Sequence, residues 1–330
     1  LEKLSALPDS RPYRALWLDA AYRPSLRDGE APPPADGEAV VSARFGAISR
    51  GTEQLVAAGK VPAGEAERMR APFQEGDFPF PVKYGYAVAG VVEEGPEGWA
   101  GRAVFCLYPH QSRFTVPVGS LRLVPAGVPL SRAVLGANME TALNIVWDAG
   151  IQPGDRVAVV GAGVVGLLTA FIAASILGTE TVVIDIDPRR AATAARLGLA
   201  FAEPQHAPGE CDVVIHASGS PEGLAVALGA AGFEARLVEA SWYGDRQVAA
   251  PLGQAFHSQR LTLVSSQVGH VPAARRARWS HARRLDLALS LLTDARLDAL
   301  LPDETAFSDL PQVYADILRD PATLCHRIRY

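Results

Sequence analysis

Apolar and polar positions change rhythm along this chain. From Tyr13 to about Pro129, short runs rich in Val, Ala and Phe, such as YRALWLDAAY, EAVVSARFGAIS, YAVAGVVEEG, GRAVFCLYP and RFTVPVG, are broken by Gly and Pro. Runs of that length between turn formers predict short strands and a β-rich domain. Between Leu55 and Pro81 the stretch LVAAGKVPAGEAERMRAPFQEGDFPFP has little periodicity, and predicts a long loop with one helical turn. After Pro129 helical and strand periods alternate, through SRAVLGANMETALNIVWDAG, RVAVVG, GVVGLLTAFIAASILG, TVVIDID, PRRAATAARLG, DVVIHASG, SPEGLAVALGAAG, ARLVEASW and LTLVSS. Strands separated by helices of this length make β-α-β units and a parallel sheet. Six strands are expected, over 156–160, 181–185, 199–202, 213–216, 236–239 and 261–265, with a helix over 164–177 after the first. The last sixty or so residues predict a helix in RWSHARRLDLALSLLTD, another segment in ETAFSDLPQVYADILRD and a final strand in CHRIRY. The expected class is α/β: a β-rich domain over 1–128, a doubly wound parallel sheet over 129–269, and a segment 270–330 returning to the first domain.

One run tests this picture. No side chain from Val157 to Thr179 is charged, and a run of ~18 or more apolar residues is long enough to propose a membrane span. Its glycines decide otherwise. Gly161, Gly163 and Gly166 follow the apolar strand and open the apolar helix, which is G-x-G-x-x-G in the context that gives it meaning. The first glycine permits a tight turn, the second lets a diphosphate approach the backbone, and the third lets helix and strand pack. The diphosphate is expected on the helix N-terminus, against Val164 and Val165, where free N–H groups favour an anion. Asp185 lies 19 residues past Gly166, where a carboxylate hydrogen-bonds the ribose hydroxyls of an adenosine. It favours NAD over NADP; Arg189 and Arg190 read either as guanidinium groups for a 2'-phosphate or, better, as a solvated helix start. A methyltransferase also carries a glycine-rich turn with a following acid, but six strands suit two mononucleotide halves better.

Composition narrows the classes further. The chain has 330 residues, 48% of them hydrophobic and 20% charged, and a net charge of −5. Two domains are expected at this length, with no general pull toward nucleic acid or anionic lipid. Cys106, Cys211 and Cys325 are far apart and form no C-x-x-C pair, so neither a disulfide framework nor a thiolate zinc site is expected. The N-terminal LEKLSALPDSRPYR lacks the apolar core of a signal peptide. A cytoplasmic protein is expected.

A β-rich domain, a dinucleotide domain and a returning end resemble the medium-chain dehydrogenase/reductase superfamily, of the alcohol and sorbitol dehydrogenase type. GAISRGTE (46–53) is similar to its G-I-C-G-x-D segment, YGYAVAGVV (84–92) to its G-H-E-x-x-G strand, and IQPGDRVAVVGAGVVG (151–166) to its cofactor turn. The resemblance implies a GroES-like catalytic domain before the Rossmann sheet, a substrate between the two, and a homodimer or homotetramer. It also implies contacts to the cofactor from Arg190, from Thr141 and from Ser218, which follows the fourth strand in DVVIHASGSPEG. The zinc ligands of the family are missing. Ser49 holds the Cys position, Tyr86 the His position and Ala87 the Glu position, while the remaining ligand falls on Ala137 or Asn138. The short CLYPHQS replaces the four-cysteine zinc lobe. The chain resembles the zinc-free branches, and GAISRGTE is similar to the G-I-S-x-G-T-E of the bacteriochlorophyllide a dehydrogenases.

Without zinc, the alkoxide formed by hydride transfer needs another proton source. The candidates are Ser49, Thr52, Glu53, Tyr86 and His110. Tyr86 reads as a proton donor or as an aromatic plug in the vacated metal pocket, and His110 as a proton relay or as a surface loop residue. Thr52 matches a relay hydroxyl of the family and Glu53 the acid behind it, or the two hold their loop together. Lys83 is expected on the opposite side from Tyr86, and Arg50 reads either as a contact for an acidic substrate group or as a solvent-facing residue. AARRARWSHARRLD (273–286) gathers five arginines around a Trp and a His, a pattern that reads better as a solvated or subunit-facing helix start than as a nucleic-acid site. The expected protein is a zinc-independent, NAD(P)-dependent oxidoreductase acting on a small-molecule alcohol or carbonyl. A quinone or enoyl reductase and a noncatalytic NAD(H)-binding protein are the alternatives.

Overall fold

In a computed structural model, residues 11–330 are described. Most of the N-terminal segment judged free of a signal peptide, residues 1–10, lies outside the described residues. The chain divides into two compact units, one of residues 1–134 with 303–330 and one of residues 135–302.

The first unit is built from strands. β1 (Pro12–Ala20) and β2 (Arg23–Glu30) form a hairpin, β3 (Glu38–Ser49) runs into α1 (Arg50–Ala57), and β4 (Glu75–Gly76) and β5 (Val82–Lys83) flank the end of the long loop. β6 (Val88–Glu94), β7 (Ala103–Cys106), β8 (Arg113–Pro117), β9 (Arg122–Leu123) and the short α2 (Leu130–Ala133) complete its N-terminal part. The stretch 55–81 thus holds the end of α1, one three-residue 3₁₀ turn and one strand piece, β4, close to its expected character.

The second unit begins with α3 (Gly136–Ala149), which ends on Gly150 in the left-handed region (φ 68°), a conformation that glycine adopts without a Cβ penalty. Then come β10 (Arg156–Val160), α4 (Val164–Ala173), β11 (Glu180–Ile184), α5 (Arg190–Arg196), β12 (Ala200–Ala202), β13 (Cys211–His216), α6 (Pro221–Ala230), β14 (Ala231–Glu239), α7 (Ala255–Ser258) and β15 (Thr262–Ser265). The sheet is parallel in the order β12-β11-β10-β13-β14-β15. That is the doubly wound order, with strand sequence reversing between β10 and β13. After Arg156, β10 is wholly buried, as a central parallel strand covered on both faces must be. The helix expected over 164–177 ends at Ala173. Its last turns loosen because the Ser175 and Thr179 hydroxyls bond to backbone carbonyls of Phe171 and Ala173.

The second unit also keeps α8 (Ala273–Arg276) and α9 (His281–Ser290). This corrects the expected return at residue 270. Arg284 of α9 is buried against Glu140 and Asn144 of α3, and Trp279 packs on Trp147 at 4.8 Å, so the segment is anchored until Pro302. The reading of 273–286 as solvated is corrected for Arg284 on the same ground. Only then do β16 (Glu304–Ala306), α10 (Leu310–Arg319) and β17 (Cys325–Arg329) join the first unit, where the larger sheet runs β16-β17-β3-β6-β7-β9 with β8 also on β3. α10 buries Leu310, Tyr314, Ile317 and Leu318, spacings that share one helical face. Among the described residues no helix is long and apolar enough to cross a membrane.

Candidate active site and dinucleotide turn

In the first unit the candidate chemistry gathers around Glu53. Ser49 ends β3 and caps α1, and Glu53 lies in the first turn of that helix. Its carboxylate reaches back, Oε1 accepting the Ser49 backbone N–H at 2.8 Å. The other oxygen, Oε2, accepts the Tyr314 hydroxyl at 2.9 Å and lies 2.9 Å from His110 Nε2. Glu53, His110 and Tyr314 are all buried. A buried carboxylate persists only when its lone pairs are satisfied, and one neighbour four residues away and two partners from distant parts of the chain do this.

His110 is therefore not surface. Its backbone is held on both sides, donating to Tyr84 O and accepting from Leu16 N, and its ring lies over Gly85. There φ is 125°, and a Cβ would come within 2.9 Å of the imidazole. His110 Nδ1 is buried with no hydrogen-bond partner among the described residues. Tyr86 is half-buried and hydrogen-bonded with the hydroxyls of Ser49 and Thr52. Burial, then the Glu53 charge, push its phenol far above the ordinary tyrosine value, against the lowering effect of those two hydroxyls. Ser49, Thr52, Glu53, Tyr86 and His110 thus stand together. Lys83 does not join them: its ammonium is buried against Glu75 and Gln111. Arg50 lies 3.4 Å from the Gln54 side-chain oxygen.

Zinc does not fit this pocket. Among the described residues no group of three or more His, Cys, Asp or Glu is placed to hold a metal ion. Hydroxyl groups at Ser49 and Tyr86 and a methyl group at Ala87 replace the ligands the family resemblance implies, and a catalytic zinc needs three protein ligands of the imidazole, thiolate or carboxylate kind.

The second unit presents the glycine turn, and its three glycines do different things. Gly161 has φ 112°, and a Cβ there would fall 2.7 Å from the backbone of Ala217 and Ser218. A Cβ on Gly166 would fall 1.9 Å from Gly161 O, so this position lets α4 close on the turn. A Cβ on Gly163 meets nothing within 4 Å. Gly163 is exposed at the start of α4, ahead of Val164 and the half-buried Val165, with no side-chain cap on the helix. That open approach to a helix N-terminus fits a dinucleotide diphosphate. Asp185 stands just past β11, and its carboxylate accepts the N–H groups of Ala162 and Asp187 at 2.6 and 2.9 Å. It is fixed beside the turn, where a ribose would follow the diphosphate. Arg190 is buried, 4.0 Å from Asp187, and Arg189 is exposed with its guanidinium on the same carboxylate. Thr141 donates its hydroxyl to Ala137 O within α3. Ser218 follows β13 at the topological switch.

No family model matches the chain. Solved structures do. L-idonate 5-dehydrogenase from Escherichia coli K-12 superposes with a TM-score of 0.80 at 15% identity over 97% of this chain and 99% of that one. For 2R,3R-butanediol dehydrogenase from Bacillus subtilis the values are 0.78, 16%, 96% and 99%. For a short chain alcohol dehydrogenase from Escherichia coli CFT073, complexed with NADH, they are 0.77, 16%, 97% and 99%. The chain shares its fold with these dehydrogenases. At these identities the likeness is one of fold, and the chemistry rests on this chain's own residues.

Two polar groups of these sites were not expected from the sequence. Tyr314 carried a signal: a tyrosine on the apolar face of a helix needs a partner for its hydroxyl. His216 and Glu239, at the ends of β13 and β14, are 2.8 Å apart. Polar residues ending otherwise apolar strands could have marked them.

Proposed function

We propose that this protein is a zinc-independent, NAD-preferring oxidoreductase that interconverts an alcohol and a carbonyl. The observation that carries the reading is the glycine turn: open space at Gly163, close packing at Gly161 and Gly166, and the fixed carboxylate of Asp185. A bound nicotinamide dinucleotide supplies the hydride acceptor or donor. The chain supplies the proton. Tyr86 keeps its hydrogen across the neutral range because burial and Glu53 disfavour the phenolate, and the Ser49 and Thr52 hydroxyls orient it. Its task is to protonate the alkoxide of a reduced carbonyl. Behind it, Glu53 and His110 form a buried acid–base pair through which a replacement proton is relayed.

The test is a screen of secondary alcohols, aldehydes, enones and quinones for a change in nicotinamide absorbance, with elemental analysis of the same preparation. Turnover of a carbonyl with NADH, well under one zinc per chain and indifference to chelator are the expected results. Stoichiometric zinc would overturn the metal-free mechanism, and turnover confined to enones or quinones would overturn the alcohol–carbonyl assignment.

A further inference from the structure

His216 and Glu239 are register partners on adjacent parallel strands, so their side chains leave the sheet side by side. Glu239 Oε2 lies 2.8 Å from His216 Nδ1, and His216 Nε2 lies 2.6 Å from Ser218 Oγ. The carboxylate is itself held, accepting the Tyr243 hydroxyl at 3.1 Å and the Ser241 N–H at 2.8 Å. Burial works against its charge, yet His216 and Ser241 outweigh that and keep the carboxyl below its ordinary value. His216 is buried, whereas Ser218 belongs to an exposed turn. In the neutral imidazole with Nδ1–H directed to Glu239, the Nε2 lone pair faces the Ser218 hydroxyl. That is the tautomer able to take the serine proton. Gly223, in the first turn of α6, makes the meeting possible: a Cβ there would come within 2.1 Å of Ser218 Oγ and 2.8 Å of His216 Nε2. The positive end of that ten-residue helix therefore lies beside the serine oxygen.

We propose that Ser218, His216 and Glu239 form a nucleophile, base and orienting acid that hydrolyse small activated esters. This goes beyond the redox reading, which assigns its proton path to other residues. The Ser218 oxygen adds to the ester carbonyl as its proton passes to His216 Nε2. Collapse breaks the bond to the alkoxy group, and His216 protonates the departing alcohol. Water then adds to the acyl-serine, passing a proton to His216. The carboxylic acid leaves as Ser218 regains its hydrogen. One ester and one water give one acid and one alcohol.

The experiment treats the full chain with a fluorophosphonate probe, maps the label by mass spectrometry, and follows p-nitrophenyl acetate hydrolysis. A single label on Ser218 is expected in the parent chain, a readout that needs no variant to fold. Hydrolysis is expected to fall about 100-fold or more in Ser218→Ala and His216→Gln. Glu239 acts through His216, so Glu239→Gln should lower kcat while KM stays put. Labelling at another residue, no labelling, or unchanged hydrolysis in Ser218→Ala overturns the proposal. NADH titration of the same preparation keeps the two readings apart: binding without labelling removes only the esterase, and labelling without binding removes only the dehydrogenase.

Discussion

Glu53 shows what a single residue organises here. A hydrogen bond to a charged group contributes about 1.5–3 kcal/mol, and this carboxylate has the Ser49 N–H and Tyr314 hydroxyl, with His110 beside it. Tyr86 stands beside this arrangement, hydrogen-bonded with the Ser49 and Thr52 hydroxyls. Its raised value has a definite sign: below it the phenol holds its proton, so the donor is intact past the ordinary tyrosine value of about 10. Tyr86→Phe should lower carbonyl reduction about 100-fold while leaving NADH affinity unchanged, as read by steady-state kinetics and calorimetry. Near-parental turnover would reduce Tyr86 to a filler of its pocket, and a bend at neutral pH that vanished in His110→Ala would move the donor to the imidazole. The sequence brought Ser49, Thr52 and Glu53 together because they fall within five consecutive residues. It could not place His110 or Tyr314, whose meeting with Glu53 depends on closures of 57 and 261 residues.

The strand–turn–helix element was the most legible part of the chain, since each glycine answers to a local rule of backbone geometry. Its boundaries were less so: α4 ends four residues early where hydroxyls capture carbonyls. The glycines now separate by experiment. Gly163 has φ −74° and open space around its missing side chain, so Gly163→Ala should leave thermal melting unchanged while weakening NADH at least tenfold. Gly166→Ala drives a methyl group into Gly161 O, and should lower both the melting temperature and the affinity. Melting curves and NADH titration of the two variants check this, and equal effects in both would mean the turn is only structural. Asp185 belongs to the same element. Asp185→Ser should narrow or invert a preference for NAD over NADP, measured by calorimetry with both cofactors. Equal affinities in the parent chain would assign that selectivity to Arg189 or Arg190.

At the scale of the whole chain, the change of hydrophobic period located a change of architecture near residue 128 but could not locate the return. The arginine-rich stretch after residue 272 reads as a solvated face because its charges are visible and their partner is not. Glu140 precedes Arg284 by 144 residues, a separation no periodicity reports. The pair holds α9 on α3, and Arg284 also donates to Asn144 and to Val268 O. Burial raises the Glu140 carboxyl above its ordinary value, against the lowering effect of Arg284. Removing the guanidinium leaves a buried carboxylate without its counter-charge, which costs about 3–5 kcal/mol. Arg284→Met should therefore lower the melting temperature sharply at pH 8. The sign with pH follows: without Arg284 the Glu140 value rises further, so the carboxyl takes up its proton earlier on acidification and the gap to the parent narrows toward pH 5. Glu140→Leu added to Arg284→Met removes the charge instead and should recover much of the loss. Melting curves of both variants across that range check the argument, and a gap that stays constant with pH would mean that α9 is held by packing around Trp147 and Trp279, not by the ion pair.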